Sequence, residues 1–345
     1  MTNESTIRKL LKSRKTEERI RAVGQLANLP DAERVPLLLE TLDDASKFVA
    51  AMAAERLHDV SDWHIAPALV AKFLFLSESG LSRDPGCHIR GHLAFALGKM
   101  EFHGAVEALR VGIRTRQIEP VGGVPFDTGA HLRANCSLAL AQLHAPDALR
   151  DITLLLFDLS GHAFAGDTQA HLKMEPRKAA AQAMVILGDR NALIPLTLRL
   201  VYPQNEHADV LQECMTALVE LEDDRIVETL SPYLSHSDQF LAAHTALCLA
   251  RSQNPEALPL LLDALPHLSA NPLRAVVFAF QVIRSDAAHN ALIGLLSHSR
   301  EAVRLAAIEA LADTRETAVL SQLQTLSHSD SSVAVRKAAK NALDS

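Results

Sequence analysis

The sequence predicts an all-α fold, an α-solenoid wound as a right-handed superhelix from about ten helical hairpins. Two observations predict it: a helical spacing pattern that recurs along all 345 residues, and a composition that suits tightly packed helices. Hydrophobic residues make up 48% of the chain but aromatic residues only 4%, so the core must consist mainly of Ala, Leu and Val. Because a solenoid grows by adding repeats, we expect one continuous domain over residues 1–345.

The recurring pattern is an anchor residue, a smaller apolar residue three positions later and a large one seven positions later. Arg304, Ala307 and Leu311 show the pattern, and side chains at these spacings lie on one face of an α-helix. The seventh repeat has Phe240 as its anchor, which assigns Ala243 and Leu247 to the core. The ten anchors are Arg19, Ala50, Arg90, Arg133, Arg177, Leu211, Phe240, Leu273, Arg304 and Arg336. Their spacings of 29 to 44 residues are typical of helical-hairpin repeats.

A first helix precedes each anchored second helix. The apolar periodicity places these first helices at 7–11, 35–42, 65–76, 105–118, 148–159, 192–201, 226–234, 257–268, 288–296 and 318–326. The chain is therefore predicted to contain twenty helices in ten pairs, and no strands.

The second helix at Val303-Arg304, with Ala307, Ala310 and Leu311, resembles the HEAT-repeat family and within it the short phycobilisome-lyase-like repeats. The helix at 335–343 matches the same motif, and repeats of this kind cover the whole chain. The resemblance implies a ladder of hydrogen bonds between an Asp and the Arg six residues later, here Asp84 with Arg90, Asp127 with Arg133 and Asp330 with Arg336. It identifies a fold rather than an activity, because this fold carries scaffolds, adaptors and a few enzymes.

Three neighbouring repeats are longer than the others, and the extra residues fall between the first and second helix of each pair. The predicted loops lie near 77–88, 119–131 and 160–173, and each ends in an Asp, a His four residues later and a basic residue two further on. Loops that interrupt a regular repeat are common places for function. They predict a partner-binding or anion-binding rim made of Asp84, His88, Arg90, Asp127, His131, Arg133, Asp167, His171 and Lys173.

A structural interpretation accounts for most of these residues. An Asp at this position caps the next helix, which is worth about 1 kcal/mol, and the basic residue belongs to the ladder. The three histidines His88, His131 and His171 remain as candidate metal ligands. However, neighbouring helices lie ~8–10 Å apart and zinc ligands ~2 Å from the ion, so the three share an ion only if the loops fold together. We therefore predict no metal and no cofactor.

The four cysteines show no Cys-x-x-Cys spacing, which indicates buried thiols in a reducing compartment. Cys87 next to His88 is an alternative nucleophile pair, but adjacent side chains at a helix start point apart and no acid is placed to orient the His. No segment approaches 18 uninterrupted apolar residues. We expect a cytoplasmic protein without a membrane span.

The predicted function is a non-catalytic scaffold that holds another protein or a peptide in a concave groove lined by second helices, with the loop rim adding contacts. The resemblance implies an enzymatic alternative, a bilin-lyase-like or metal-dependent enzyme or chaperone that acts at the Asp/His loops. Relatives that hydroxylate deoxyhypusine use His-Glu dipeptides, and none of the 16 histidines here precedes Glu. Nucleic-acid phosphate binding is disfavoured by the net charge of -7.

Overall fold

A computed structural model describes residues 4–158, 170–203 and 206–344, with residues 170–175 and 270 described by their backbone alone. The described residues form twenty-one α-helices and two short β-strands. The predicted all-α solenoid is confirmed. Contacts divide the chain into two compact units, Met1–Pro195 and Leu196–Ser345. The single continuous domain over 1–345 stays a prediction.

The first unit contains five helical hairpins. Its second helices pack against one another in chain order, and each also packs against the first helix of its own hairpin. Its helices and strands are α1 (Glu4–Leu11), α2 (Thr16–Gln25), α3 (Asp31–Thr41), α4 (Lys47–Arg56), α5 (Ala66–Ser77), α6 (Gly80–Arg83), α7 (His88–Lys99), α8 (Val106–Ile113), β1 (Ile118–Val121), β2 (Val124–Asp127), α9 (Ala130–Gln142), α10 (Ala148–Leu156) and α11 (Ala170–Leu187).

The second unit continues the same construction. Its second helices α13, α15, α17, α19 and α21 pack in chain order. The elements are α12 (Leu193–Val201), which contains the boundary between the units, α13 (Ala208–Glu220), α14 (Ile226–Leu230), α15 (Gln239–Arg251), α16 (Ala257–Ala264), α17 (Ala270–Val282), α18 (Asp286–Gly294), α19 (Glu301–Leu311), α20 (Thr317–Ser329) and α21 (Val333–Asp344).

The residues three positions after the anchors form the centre of the core. Nine of the ten have no exposed surface: Ala22, Ala53, Leu93, Cys136, Ala180, Cys214, Val276, Ala307 and Ala339. Most are small, so neighbouring second helices can approach closely. The large residues seven positions after the anchors fill the space beside them, and burial of each Leu contributes ~1.5–3 kcal/mol.

The predicted register of α15 is wrong by two residues. Phe240 is 75% exposed, whereas Thr245 has no exposed surface and Leu249 is also buried. The Thr245 hydroxyl donates to the carbonyl of Leu241 at 2.8 Å, so its polar group is satisfied within the helix. A threonine can therefore occupy the small core position, and a pattern built on apolar residues alone does not recognise it.

The prediction of no strands is also wrong, and so is the predicted helix at 105–118. Helix α8 ends at Ile113, and β1 pairs antiparallel with β2 to form a β-hairpin inside the second loop. Gly122 and Gly123 form its turn with φ of +59° and +85°, a conformation that favours glycine. The first loop contains the additional short helix α6, which raises the predicted twenty helices to twenty-one among the described residues.

Candidate functional site

The first loop places Asp84 and Arg90 inside the protein. Both side chains are 1% exposed, and Arg90 Nε donates to Asp84 Oδ2 at 2.9 Å. Asp84 also accepts the backbone N–H groups of Ile89 and Arg90, each at 3.0 Å, and so caps the start of α7. His88 is exposed. Of the three rim residues predicted in this loop, only His88 is open to a partner.

The second loop repeats this arrangement with a longer insertion. Asp127 Oδ2 lies 2.8 Å from Arg133 Nη2, and the two side chains are 9% and 3% exposed. The other Asp127 oxygen accepts the N–H of Gly129 at 3.0 Å. Arg133 also donates to the carbonyl of Thr115 at 2.9 Å. His131 is half-buried, so this loop also keeps its Asp and Arg away from solvent.

Two residues that the sequence reasoning missed join the first loop to the second. Gln117 is buried, accepts a hydrogen bond from Arg90 Nη2 at 2.7 Å and donates to the carbonyl of Asp84 at 3.0 Å. Glu119, in strand β1, accepts the N–H of Gly86 at 2.9 Å. The two loops therefore form one connected structure.

The third predicted set is only partly described. Asp167 lies outside the described residues, and His171 and Lys173 lie in α11 where only the backbone is described. The acceptor that the structure shows for this repeat is Asp158. Its Oδ2 lies 3.3 Å from Arg133 Nε, and its carbonyl accepts from Arg177 at 2.9 Å.

In repeats without a long loop, a single Asp accepts hydrogen bonds both from the Arg of the preceding repeat and from a backbone N–H just before its own second helix. Asp44 accepts from Arg19 of the preceding repeat at 2.7 Å and fixes the turn before α4 by accepting the N–H of Ser46 at 2.7 Å. Asp330 likewise accepts from Arg304 at 2.8 Å and from the N–H of Ser332, before α21, at 2.8 Å, and its carbonyl also accepts from Arg336. The hydrogen-bond ladder implied by the resemblance is therefore present in both units.

In the repeat with the β-hairpin, these two roles belong to different residues, Gln117 and Asp127. Gln117 bonds to Arg90 of the preceding repeat, whereas Asp127 bonds to Arg133 of its own repeat. Asp158 then accepts from Arg133 of the repeat before it. The cross-repeat acceptor follows its Arg by 25 residues in the ladder from Arg19 and by 26 in the ladder from Arg304. That spacing is a sequence signal for Asp158, 25 residues after Arg133, whereas Gln117 follows Arg90 by 27 residues.

The predicted histidines lie in different surroundings. The ring of His131 lies beside His92, with 6.2 Å between ring centroids, and its Nε2 is 3.1 Å from Asn135 Nδ2. His92 in turn contacts His58, one repeat earlier, with 3.3 Å between Nδ1 of His92 and Nε2 of His58. Neither His58 nor His92 was predicted as a site residue, because their proximity becomes visible only when the repeats are stacked.

All four cysteines are buried and unpaired by disulfides, as predicted. Burial raises the pKa of Cys87 to about 12, that of Cys214 to about 12 and that of Cys248 to about 11. Burial also raises the pKa of Cys136. Because the thiolate is the nucleophile, these thiols are poorly suited to covalent catalysis.

We expect iodoacetamide at neutral pH to leave all four cysteines of the native protein unmodified, because the thiols are both inaccessible and protonated. In concentrated urea all four should react. Intact-mass spectrometry measures the number of adducts. Rapid alkylation of native Cys87 would contradict this expectation and support the alternative in which Cys87 and His88 form a nucleophile pair.

Among the described residues, no group of three or more His, Cys, Asp or Glu side chains has the geometry of a metal site. None of the helices in these same residues combines the length and apolar character needed to cross a membrane.

A family model described as HEAT repeats matches residues 198–279 and 266–344. Kap121p shows a TM-score of 0.52 at 12% identity, and the match covers 98% of this chain and 41% of Kap121p. Kap121p bound to the extreme C-terminus of the protein phosphatase Cdc14p gives a TM-score of 0.51 at 13% identity, with 98% and 41% covered. Human deoxyhypusine hydroxylase gives 0.33 at 16% identity, with 81% and 95% covered. A search of curated protein sequences found no match.

At these identities the likeness concerns the fold alone, and this chain spans about two fifths of the length of Kap121p. The family match covers the C-terminal part of the chain, where α13 to α21 stack as helical hairpins. Residues 198–344 are therefore similar to HEAT repeats, within a chain whose fold is an all-α solenoid.

Proposed function

We propose that this chain is a non-catalytic scaffold that binds a protein or peptide, and that part of the contact is made by the loop edge, defined as residues 78–87 and 116–128. One observation carries the proposal. Three large apolar side chains on these loops are mostly exposed: Leu81 at 63%, Ile118 at 57% and Val124 at 65%. Exposed apolar side chains on ordered loops are candidate contact residues, and Val124 lies opposite Val121, itself 39% exposed, on one face of the β-hairpin.

The loop edge is held in place before any partner binds. Gly80 of the first loop lies directly against the end of the Gln117 side chain, which comes from the second loop. The hydrogen bonds of Gln117 and Glu119 to the first loop fix this arrangement. Binding to loops that are already ordered loses less conformational entropy, which favours affinity.

The fold supports the same proposal. Kap121p, whose fold this chain resembles, is described in complex with the extreme C-terminus of Cdc14p. By analogy, the exposed faces of the second helices would form the main groove for a protein or peptide, with His88 and His131 contributing beside the loop edge. We further propose that the repeats are of the short phycobilisome-lyase-like kind, on the strength of Val303-Arg304 and its following alanines.

The test compares proteins captured from a lysate of the native organism by wild-type chain and by the triple variant Leu81→Ser, Ile118→Ser, Val124→Ser. Burial of one such side chain contributes ~1.5–3 kcal/mol, so a specific partner should be recovered at least about tenfold less by the variant. Quantitative mass spectrometry measures the recovery.

The matched control is the double variant Leu154→Ser, Ile194→Ser, which removes apolar side chains that are 65% and 63% exposed on the first helices α10 and α12, outside the loop edge and the second helices. It should recover the partner as wild type does. Equal recovery by the triple variant and the wild type would remove the loop edge from the binding surface.

A further inference from the structure

Two contacts between neighbouring second helices of the first unit are made in part by histidine rings. His58 follows α4 in a short helical turn, His92 lies in α7 and His131 in α9. The ring centroids of His58 and His92 are 5.1 Å apart, and that of His131 lies 6.2 Å from that of His92. His92 therefore stands between a histidine of the preceding repeat and one of the following repeat, where α7 packs against α4 and α9.

The contact between His58 and His92 requires one of the two facing nitrogens to be without a proton. Nδ1 of His92 lies 3.3 Å from Nε2 of His58, so one of them donates a hydrogen bond and the other accepts it. A neutral imidazole has one nitrogen of each kind, whereas a protonated ring donates from both. When both rings are protonated, two N–H groups face each other, and repulsion between like charges replaces the hydrogen bond.

We propose that these histidines form a pH-sensitive switch, in which protonation in mildly acidic solution weakens the packing of α7 against α4 and α9 and so loosens the first unit. The switch is a property of the chain itself. It is independent of the proposed binding of a partner, and it can be measured without one.

The surrounding residues leave the rings little room to turn away from one another. A Cβ added to Gly91 would lie 2.9 Å from His131 Cδ2, so the missing side chain makes the space for this ring. Asn135 Nδ2 lies 3.1 Å from His131 Nε2 and donates to the carbonyl of Gly91 at 3.0 Å. Phe95 packs against the ring of His58, with 4.2 Å between centroids. A charge that forms here is therefore held beside its neighbours.

Charged groups around the rings only partly favour protonation. The other titratable groups that act on His58 and His92 are Glu55 of α4, Asp59 of the turn after it, and His88 and Lys99 of α7. The two carboxylates favour the protonated rings, whereas Lys99 opposes protonation of His58, and His88 opposes protonation of His92. Burial outweighs these effects: it lowers the pKa of His58 and lowers that of His92 to about 4.

The pH range of the switch follows from these pKa values. In the unfolded chain a histidine has a pKa of ~6.5, so on acidification the unfolded state takes up protons before the folded state does. The stability of the first unit should therefore be constant above neutral pH and fall from about pH 6.5 towards about pH 4. Between pH 7.5 and pH 5, His92 alone should lower the folding equilibrium constant about 20-fold.

The experiment measures hydrogen-exchange protection factors of the slowest α7 amides in the full chain at pH 7.5 and pH 5, above the range in which most carboxylates titrate. The wild-type factors should fall about 20-fold or more. The double variant His58→Gln, His92→Gln keeps polar side chains without titrating rings and should lose less than about threefold. The single variant His92→Gln should lie between the two. Circular dichroism at pH 7.5 establishes that the helices of each variant are retained.

His103→Gln is the matched control, since His103 is an exposed histidine of the same unit that lies outside this group. It should lose as much protection as wild type does. Wild-type factors that are equal at the two pH values would overturn the proposal. So would a folded His92→Gln or double variant that loses as much protection on acidification as wild type, because the titrating groups would then lie elsewhere.

Discussion

Replacing Asp84 with alanine should lower the free energy of unfolding of the first unit by about 3–5 kcal/mol. The Arg90 guanidinium is 1% exposed and would be left in the interior without its carboxylate. Removing one partner of a buried ion pair is strongly destabilising, because the other charge stays away from water without compensation. The substitution also leaves the N–H groups of Ile89 and Arg90 without their acceptor at the start of α7.

Hydrogen exchange of the α7 amides, together with urea unfolding, measures this loss. The control is Asp62→Ala in the same unit. The Asp62 side chain is 48% exposed and accepts the N–H of His64 at 3.0 Å, so it caps a helical turn without a buried Arg. The control substitution should lower the free energy of unfolding by only about 1 kcal/mol. If the two variants lose the same stability, the buried pair contributes nothing beyond capping.

The sequence was sufficient for the part of the fold that repeats. A residue such as Ala53 or Ala307 is small because two helices meet there, and a small residue recurs at this position in most hairpins. The register failed at α15, where Thr245 fills the small position and satisfies its own hydroxyl. A pattern that counts only apolar residues cannot find such a position.

The loops were harder to predict because they break the period. The β-hairpin had a local signal in Gly122-Gly123, which is typical of a two-residue turn. The local sequence contained no signal for the division of the ladder between Gln117 and Asp127. It follows from the stacking of Arg90 against the next repeat, 27 residues later. The contact of His58 with His92 depends on stacking in the same way, across 34 residues.

Replacing Gly98 with alanine should destabilise the first unit by about 1–3 kcal/mol, the usual effect of overfilling a close-packed core. Gly98 lies in α7 where that helix meets α9. An added Cβ would lie 2.8 Å from Cα of Ala139, a distance that real Cβ atoms essentially never show. Because the obstacle is backbone, no side chain can rotate away, and α7 and α9 must move apart.

Replacing Gly24 with alanine should instead stabilise the first unit. Gly24 lies in α2 with nothing within 4 Å of an added Cβ, so alanine there introduces no clash. Alanine also reduces the conformational freedom of the unfolded chain, which should raise the free energy of unfolding by about 0.4–1 kcal/mol. Urea unfolding of both variants measures the two changes. Equal changes at the two positions would mean that helix propensity, rather than the approach of α7 to α9, determines the effect of glycine in these repeats.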